Sequence, residues 1–299
     1  MTAAINPTTH KGSTPYLTNQ EFLNAPTSLD IDNLVFNSSD PDVQASELTN
    51  VIQRASSWCD VYCNQVLGAT SETENQRTRI TPDGYIKIHP RYWPVIAVTD
   101  LWYGNPSTQL YQASDVSQCW VEDQQILYPY AQMPSMMTSQ GPLQFGFPSY
   151  SGSQVYVKYT YINGYANTTI VTAVQSTSVI TVKEGFGITA GMQLKIYDGM
   201  YSEYVTVADT YVFGSKTVPI VDPLDYNHDA GVSISALPPA VKEACILVTS
   251  AFIKVRGDSS MTMSIGSSPS AYATSNIPAD IAGDLNMAMN LLKPFRRIR

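Results

Sequence analysis

The chain has 299 residues, enough for one large domain or two modest ones with a sizeable core. Only 14% of its residues are charged and the net charge is −8, where an average soluble protein is roughly 25% charged. So acidic a body is a poor static binder of nucleic acid, which needs Lys and Arg facing phosphates. No stretch approaches the about 18 uninterrupted apolar residues of a membrane span either.

Residues 1–15 are rich in Thr, Asn, Pro and Ser, carry no periodicity, and read as a flexible arm. Thr18 stands three residues before Glu21, the spacing of a capping box that starts a short helix. Asp40 and Pro41 then open the first long element, with Pro at the position where a missing N–H does no harm. Leu48, Val51, Ile52, Ala55, Trp58, Cys59, Tyr62 and Val66 recur at steps of three and four, which predicts an amphipathic helix running to about Leu67 and closed by Gly68.

Strands follow. Thr81-Pro82-Asp83-Gly84 is a turn sequence between Arg79-Ile80 and Tyr85 to Ile88, so a hairpin is expected there. Val95 to Tyr103, Cys119 to Glu122, Gln125 to Tyr128 and Gln154 to Ile162 read as further strands, with a long Pro-, Gly- and Met-containing loop at 129–150. Between Asn167 and Ala236 short β-branched runs recur at Val179–Val182, Leu194–Ile196, Glu203–Val207, Thr217–Ile220 and Val232–Ile234. Their spacing, with Gly185, Gly187, Gly191 and Gly199 as turn residues, signals a small antiparallel barrel or sandwich. Helix returns after Pro238-Pro239 on a stripe of Val241, Ala244, Cys245, Val248, Ala251, Phe252 and Val255, stopped by Gly257. A Ser- and Met-rich linker at 258–275 leads to a last helix from about Ala279 to Leu292 with Ile281, Leu285, Ala288, Leu291 and Leu292 on its apolar face. Pro294 ends it.

The last seven residues hold Lys293, Arg296, Arg297 and Arg299 without an acid; taking those four cations off the net −8 leaves −12 for residues 1–292. The predicted fold is therefore α+β: a helical and β core at 16–166 and 237–292, an inserted all-β module at 167–236, a flexible arm at 1–15 and a basic tail at 293–299. Nineteen tyrosines on so weakly charged a chain point to protein–protein interfaces, where the ring buries area and the hydroxyl still finds a partner. The plainer alternative is a tyrosine-rich β protein.

No catalytic constellation emerges, and the chain reads as a non-enzyme. Cys59 and Cys63 lie four apart on one helix face among apolar neighbours, while Cys119 and Cys245 stand alone, without the Cys/His spacing of a zinc site. Buried free thiols in a reducing cytoplasm are expected, with no metal and no cofactor. His89, in IHPRYWP, suggests a structural corner. His228 stands beside Asp229 and near Asp225, where a turn explains it as well as a metal does. Asp198 and Glu203 flank a Gly-containing loop and could touch a cation, yet lack the alternating oxygens of a calcium loop. The GxGxxxG at 185–191 lacks the Lys-Ser/Thr of a phosphate loop. Tyr197, Tyr201, Tyr204 and Tyr211 offer a possible sugar-binding face, the alternative to strand packing or subunit contact. With no apolar run behind the first charge, no export signal is expected either.

Three passages together carry a resemblance: PYLTNQEF with SSWCDVYCNQVLGAT and RITPDGYIKIHPRYWPVIAVTDLWYG; then YTYINGYANTTI with AGMQLKIYDGMYSEYVTV and DPLDYNHDAGVSISALP; then PPAVKEACILVTSAFIKVRGD. In this order, from about residue 15 to 257, they resemble the head-to-tail adaptor proteins of siphophages, in the broad connector family with a helical core. The β module departs from the smallest, mainly helical members. The resemblance implies a virion protein made in the host cytoplasm and placed in the neck, forming a ring, usually of twelve subunits, under the portal. Its implied partners are the portal, a stopper or tail-terminator protein, other copies of itself, and the genomic duplex DNA that passes through without sequence-specific contact. The long helix, through Leu48, Val51, Ile52, Ala55, Trp58 and Tyr62, would face neighbouring subunits or the channel. The basic tail Lys293, Arg296, Arg297 and Arg299 would dock on the portal. Another neck, collar or baseplate subunit, or a virion protein whose β module binds cell-surface glycans, is the alternative.

Overall fold

The structure, a computed structural model, describes residues 15–105, 109–130, 154–255 and 279–297, apart from positions 28, 30, 33, 36, 37, 114 and 123. The expected arm at 1–14, most of the loop at 129–150, Gly257, the linker at 258–275 and Arg299 lie outside the described residues. Mixed α+β architecture is observed, and all the strand ladders are antiparallel among the described residues. The chain forms two compact units.

One unit is built from residues 70–164. It holds β1 (Thr70–Arg79), β2 (Tyr85–Ile88), β3 (Val95–Asn105), β4 (Gln109–Gln112), β5 (Trp120–Glu122), β6 (Gln125–Pro129) and β7 (Gln154–Asn163). They make a four-stranded sheet ordered β1-β7-β3-β4 and a three-stranded sheet ordered β2-β6-β5. The two share one core, with Val155, Val157, Tyr159 and Tyr161 from β7 meeting Ile86, Ile88 and Ile126 from the smaller sheet. Successive strand residues point to opposite faces, so β7 buries its odd positions and leaves Gln154 and Lys158 exposed.

The hairpin expected at 79–88 is only half made. Thr81 N–H donates to Tyr85 O, and Ile80 bridges Ile86. Beyond that bridge the strands part: β1 pairs along its whole length with β7, and β2 pairs with β6. A ten-residue ladder outweighs a local turn, and the polar sequence of β1, TSETENQRTR, hid the strand.

The other unit runs from 15 to 69 and from 165 to the C-terminus. It comprises the helices α1 (Asn19–Leu23), α2 (Pro41–Cys63), α3 (Pro239–Val255) and α4 (Ala279–Leu292) together with β8 (Asn167–Ala173), β9 (Val179–Val182), β10 (Gln193–Tyr197), β11 (Glu203–Thr206), β12 (Thr217–Pro219) and β13 (Ser233–Ser235). The six strands follow the order β11-β10-β13-β8-β9-β12. This sheet curls into a half-barrel, and its outer strands meet where Val221 N–H donates to Thr206 O and Ala208 N–H to Pro219 O. Ile170, Val182, Leu194, Ile196, Val218 and Ile234 fill it. Gly185 is not the open turn residue expected: a Cβ there would lie 2.0 Å from the Ser215 carbonyl oxygen, because the chain crosses itself at a Gly185–Gly214 bridge.

The half-barrel has its own apolar interior, but it belongs with the helices, while residues 70–164 stand as the separate body. α1 starts as expected: Thr18 Oγ1 accepts from Glu21 N–H, and Glu21 returns the bond to Thr18 N–H. α2 is about 35 Å long at 1.5 Å per residue, and it ends four residues early. Asn64 adopts φ 54 and takes the left-handed capping position expected of Gly68.

Two buried polar contacts tie this unit together. Lys242, in the first turn of α3, is 3% exposed. Its ammonium donates to Glu21 Oε1 and, at 3.0 Å, to Ser233 Oγ of β13, and it sits 3.9 Å over the Tyr197 ring of β10. Burial pulls this lysine below its ordinary range, against the pull of Glu21. Tyr16 is the second. Its hydroxyl donates to Asp60 Oδ1 and accepts from the Leu67 and Gly68 N–H groups at 3.0 Å, fixing the chain as it leaves α2. Burial pushes the Asp60 carboxyl up from 3.8 to about 7, although Tyr16 and the Leu67 N–H both favour its charged form.

Removing one partner of a buried ion pair costs about 3–5 kcal/mol, because the other charge stays behind unpaired. Glu21→Gln is expected to destabilise by about that much in urea denaturation, and Glu21→Gln combined with Lys242→Met to recover most of the loss. Asp60 gives a pH signature. Between about pH 4 and 7 the folded state holds a proton that the unfolded chain has released, so stability is highest below this window and falls as pH rises through 7. Asp60→Asn is expected to flatten that part of a plot of melting temperature against pH.

Candidate functional site

The best-built surface feature is the connection between β10 and β11, residues 198–202. Gly199–Tyr201 form a 3-10 turn, and Gly199 has φ 55, which a glycine adopts without a Cβ penalty. Ser202 Oγ donates to Gly199 O at 2.9 Å and accepts from Asp198 N–H at 3.0 Å, closing the turn from inside.

His228 clasps this turn at both ends. Its ring Nδ1 lies 2.9 Å from Asp198 Oδ2 and its Nε2 lies 2.7 Å from Glu203 Oε1. The imidazole is fully enclosed, and the side chains of Asp198 and Glu203 are 29% and 10% exposed. Glu203 also accepts the N–H groups of Asp225 at 3.1 Å and Tyr226 at 3.3 Å, which binds the 221–230 loop to the same turn. That loop is anchored behind by His228 N–H on Ala173 O, and by Asn227 Oδ1 accepting from Gln175 N–H at 2.8 Å.

The clasp holds an exposed apolar knuckle. Met200 is 89% exposed, and its neighbour Tyr201 and Tyr226 of the bound loop also have large exposed areas. The Tyr201 and Tyr226 rings lie 5.3 Å apart, while Tyr204 lies on the other face of the sheet, where Lys195 Nζ is 5.3 Å from its ring and 4.9 Å from that of Tyr197. A catalytic histidine needs one nitrogen open to substrate. Both nitrogens of His228 are engaged, so the arrangement positions backbone and displays side chains. Among the described residues no cluster of three His, Cys, Asp or Glu has the arrangement to hold a metal ion.

Sequence reasoning named His228, Asp198 and Glu203 but did not join them, because the ring lies 30 residues from one carboxylate and 25 from the other. The available signal was the pair of acids bracketing Gly-Met-Tyr-Ser. Only the strand order brings the 221–230 loop back over them. The four tyrosines weighed as one sugar face divide. Tyr201 and Tyr204 are exposed, Tyr197 is half-buried under Lys242, and Tyr211 is buried elsewhere with its hydroxyl on Gly185 O and Ser215 O.

The long-helix residues are committed within the chain. Leu48, Val51, Ile52, Ala55 and Trp58 are at most 5% exposed, and Trp58 stacks on the half-buried Tyr62. Leu48, Ile52, Ala55 and Trp58 share one core with α3 and α4, because an amphipathic helix buries its apolar face on the nearest partner, here its own chain.

The basic tail does not trail free either. Lys293–Phe295 form a 3-10 turn, Arg297 N–H donates to Cys63 O, and Asn64 and Gln65 side chains bond Arg297 O and Phe295 O. The Arg296 guanidinium lies 5.4 Å from the Tyr62 ring. α2 has no basic residue in its own last turn, so Arg296, beside Tyr62 and Cys63, brings positive charge to the negative end of its dipole.

Cys59, Cys63 and Cys245 are buried free thiols and Cys119 is half-buried. Burial pushes Cys63 and Cys119 up to about 12, which keeps them as thiols at neutral pH and poor nucleophiles. His89 is exposed on a structural corner. There Glu74 accepts Arg91 N–H on both oxygens and the hydroxyls of Tyr159 and Tyr161 at 3.0 and 2.6 Å, while Tyr92 N–H donates to Tyr161 Oη.

Compared with known proteins, the chain matches no family model, no curated protein and no solved structure.

His228→Ala leaves both carboxylates short of a bond, at a cost of about 1–3 kcal/mol. Hydrogen exchange is expected to speed up across residues 198–204 and 225–229 in this variant while α2 and α3 keep their protection. Uniform loss across the chain would place the histidine in the global core and not in a local clasp.

Proposed function

We propose that this chain is a structural subunit of a tailed-phage neck, a head-to-tail adaptor assembling as a ring between portal and tail. The observation that carries the reading is the rigidly held apolar knuckle at Met200, Tyr201 and Tyr226, on a chain with few charges to keep it apart from neighbours. Exposed Tyr and Met backed by a fixed frame are the anchors of protein–protein contacts, since little side-chain or loop freedom is lost on docking. A sugar platform finds less support, because the tyrosines that would build it are dispersed.

In this reading the helices α2, α3 and α4 form the connector core, and the contact surfaces lie on the strands and loops and on the exposed sides of the basic tail. Portal and stopper or tail-terminator proteins meet opposite faces of the ring. Genomic duplex DNA passes through a channel whose acidic character keeps it from being gripped. A closed ring needs two different patches on each subunit, meeting around the rotation.

The test is electron microscopy of the purified chain mixed with the portal of the same phage. Extra density capping the tail-side face of the portal is the expected result. A folded chain that leaves an intact portal bare would sink the adaptor reading. Deleting residues 293–299 is expected to weaken capping. It should also lower the melting temperature by several degrees, since Phe295 packs on the core and the tail covers the end of α2.

A further inference from the structure

The four-stranded sheet sorts its charges by face. In an antiparallel ladder, residues directly opposite one another project from the same side. On β1 the acids Glu72 and Glu74 share the side of Tyr161 and Tyr159, and Glu74 is bonded to both hydroxyls. Arg77 and Arg79 project from the other side. Arg77 stands opposite Tyr156, and Lys158 stands between Asn75 and Trp102. Gly104, opposite Tyr156 on β3, leaves that ring uncovered on one flank. Arg77, Arg79 and Lys158 are exposed, and none of them is ion-paired among the described residues. Asp100, the acid on this face, accepts from Trp102 Nε1 at 2.8 Å and Gln112 Nε2 at 3.0 Å. On a chain with net charge −8, this is a basic, aromatic face.

The knuckle of the other unit has the opposite character. The 221–230 loop, which sets Tyr226 against Tyr201 of the knuckle, carries exposed Asp222, Asp225 and Asp229. Three unpaired cations beside Tyr and Trp match in number and sign three exposed carboxylates on the loop that carries Tyr226. Arg over Tyr adds a cation–π attraction. Three cations are too few for a strong hold on duplex DNA in an acidic protein, whose binding rests on many phosphate contacts. A second copy of this chain supplies what the face lacks.

We infer that the basic face bearing Arg77, Arg79 and Lys158 receives the acidic aromatic knuckle of a second copy. The contact is heterologous: each subunit offers a socket to one neighbour and a knuckle to the other. It deepens the ring reading above and rests on it. His228 enters as a positioning residue that keeps the knuckle in shape, and the association weakens as salt screens the charges.

The test is charge reversal with complementation. Arg77→Glu, Arg79→Glu and Lys158→Glu together make one variant; Asp222→Lys, Asp225→Lys and Asp229→Lys together make the other. All six positions are exposed, and circular dichroism checks that both variants fold. Assembly is read by sedimentation at low salt, free in solution and on the portal. Wherever the wild type assembles, each variant alone is expected to lose assembly at least tenfold in concentration dependence, about 1.4 kcal/mol per contact, and their mixture to recover it. Variants that assemble as the wild type does overturn this interface and leave the ring reading standing. A wild type that associates neither alone nor on the portal overturns both. If random-sequence duplex DNA is retained through Arg77, Arg79 and Lys158 while assembly is unchanged by their reversal, the face belongs to nucleic acid and the interface is overturned.

Discussion

A lysine ammonium with almost no access to water holds the larger unit in register. Lys242 reaches Glu21 from the N-terminal helix and Ser233 from the half-barrel, with the Tyr197 ring beneath it. Three segments far apart in sequence therefore converge on one charge. Burying that charge is costly, and the cost is offset only while every partner is in place. Glu21 serves twice, since its second oxygen closes the capping box on Thr18. The start of α1, the start of α3 and the last strand of the half-barrel are for this reason one arrangement, and the compact unit includes both helices and strands.

The exposed knuckle depends on that frame. β10 carries Tyr197 into the lysine site and ends one residue before Asp198, where the clasped turn begins. The fold places a rigid ladder directly under an apolar knuckle, and His228 locks the knuckle from behind with both ring nitrogens. Display of Met200 and Tyr201 in a fixed geometry is what separates a docking surface from a floppy greasy loop. In the smaller unit the strand pleat sorts side chains in the same way, turning Glu74 of β1 onto the Tyr159 and Tyr161 hydroxyls and Arg77 and Arg79 outward.

Much of the helical part follows from local chemistry. The Thr18–Glu21 capping box, Asp40-Pro41 ahead of a stripe at helical spacing, and the limits of α4 at Ala279 and Leu292 can all be read residue by residue. Helix caps and apolar periodicity act within a few residues, so the sequence carries them whole. The β-branched runs at Val179–Val182 and Thr217–Pro219 are legible for the same reason. β1 is not, since a polar strand shows no apolar alternation and exists because β7 pairs with it across ten residues.

Sequence by itself determined the mixed α+β class, the positions of the helices, a compact run of short strands after residue 167, and the sparse charge. Tertiary structure alone decided who meets whom. It divided the chain between residues 70–164 and the rest, turned the long-helix stripe into the chain's own core, and laid the basic tail on the end of α2. It also brought His228 between Asp198 and Glu203. These outcomes depend on contacts between residues 25 to more than 200 positions apart, and nothing in local spacing encodes which distant partner a buried charge or an edge strand will find.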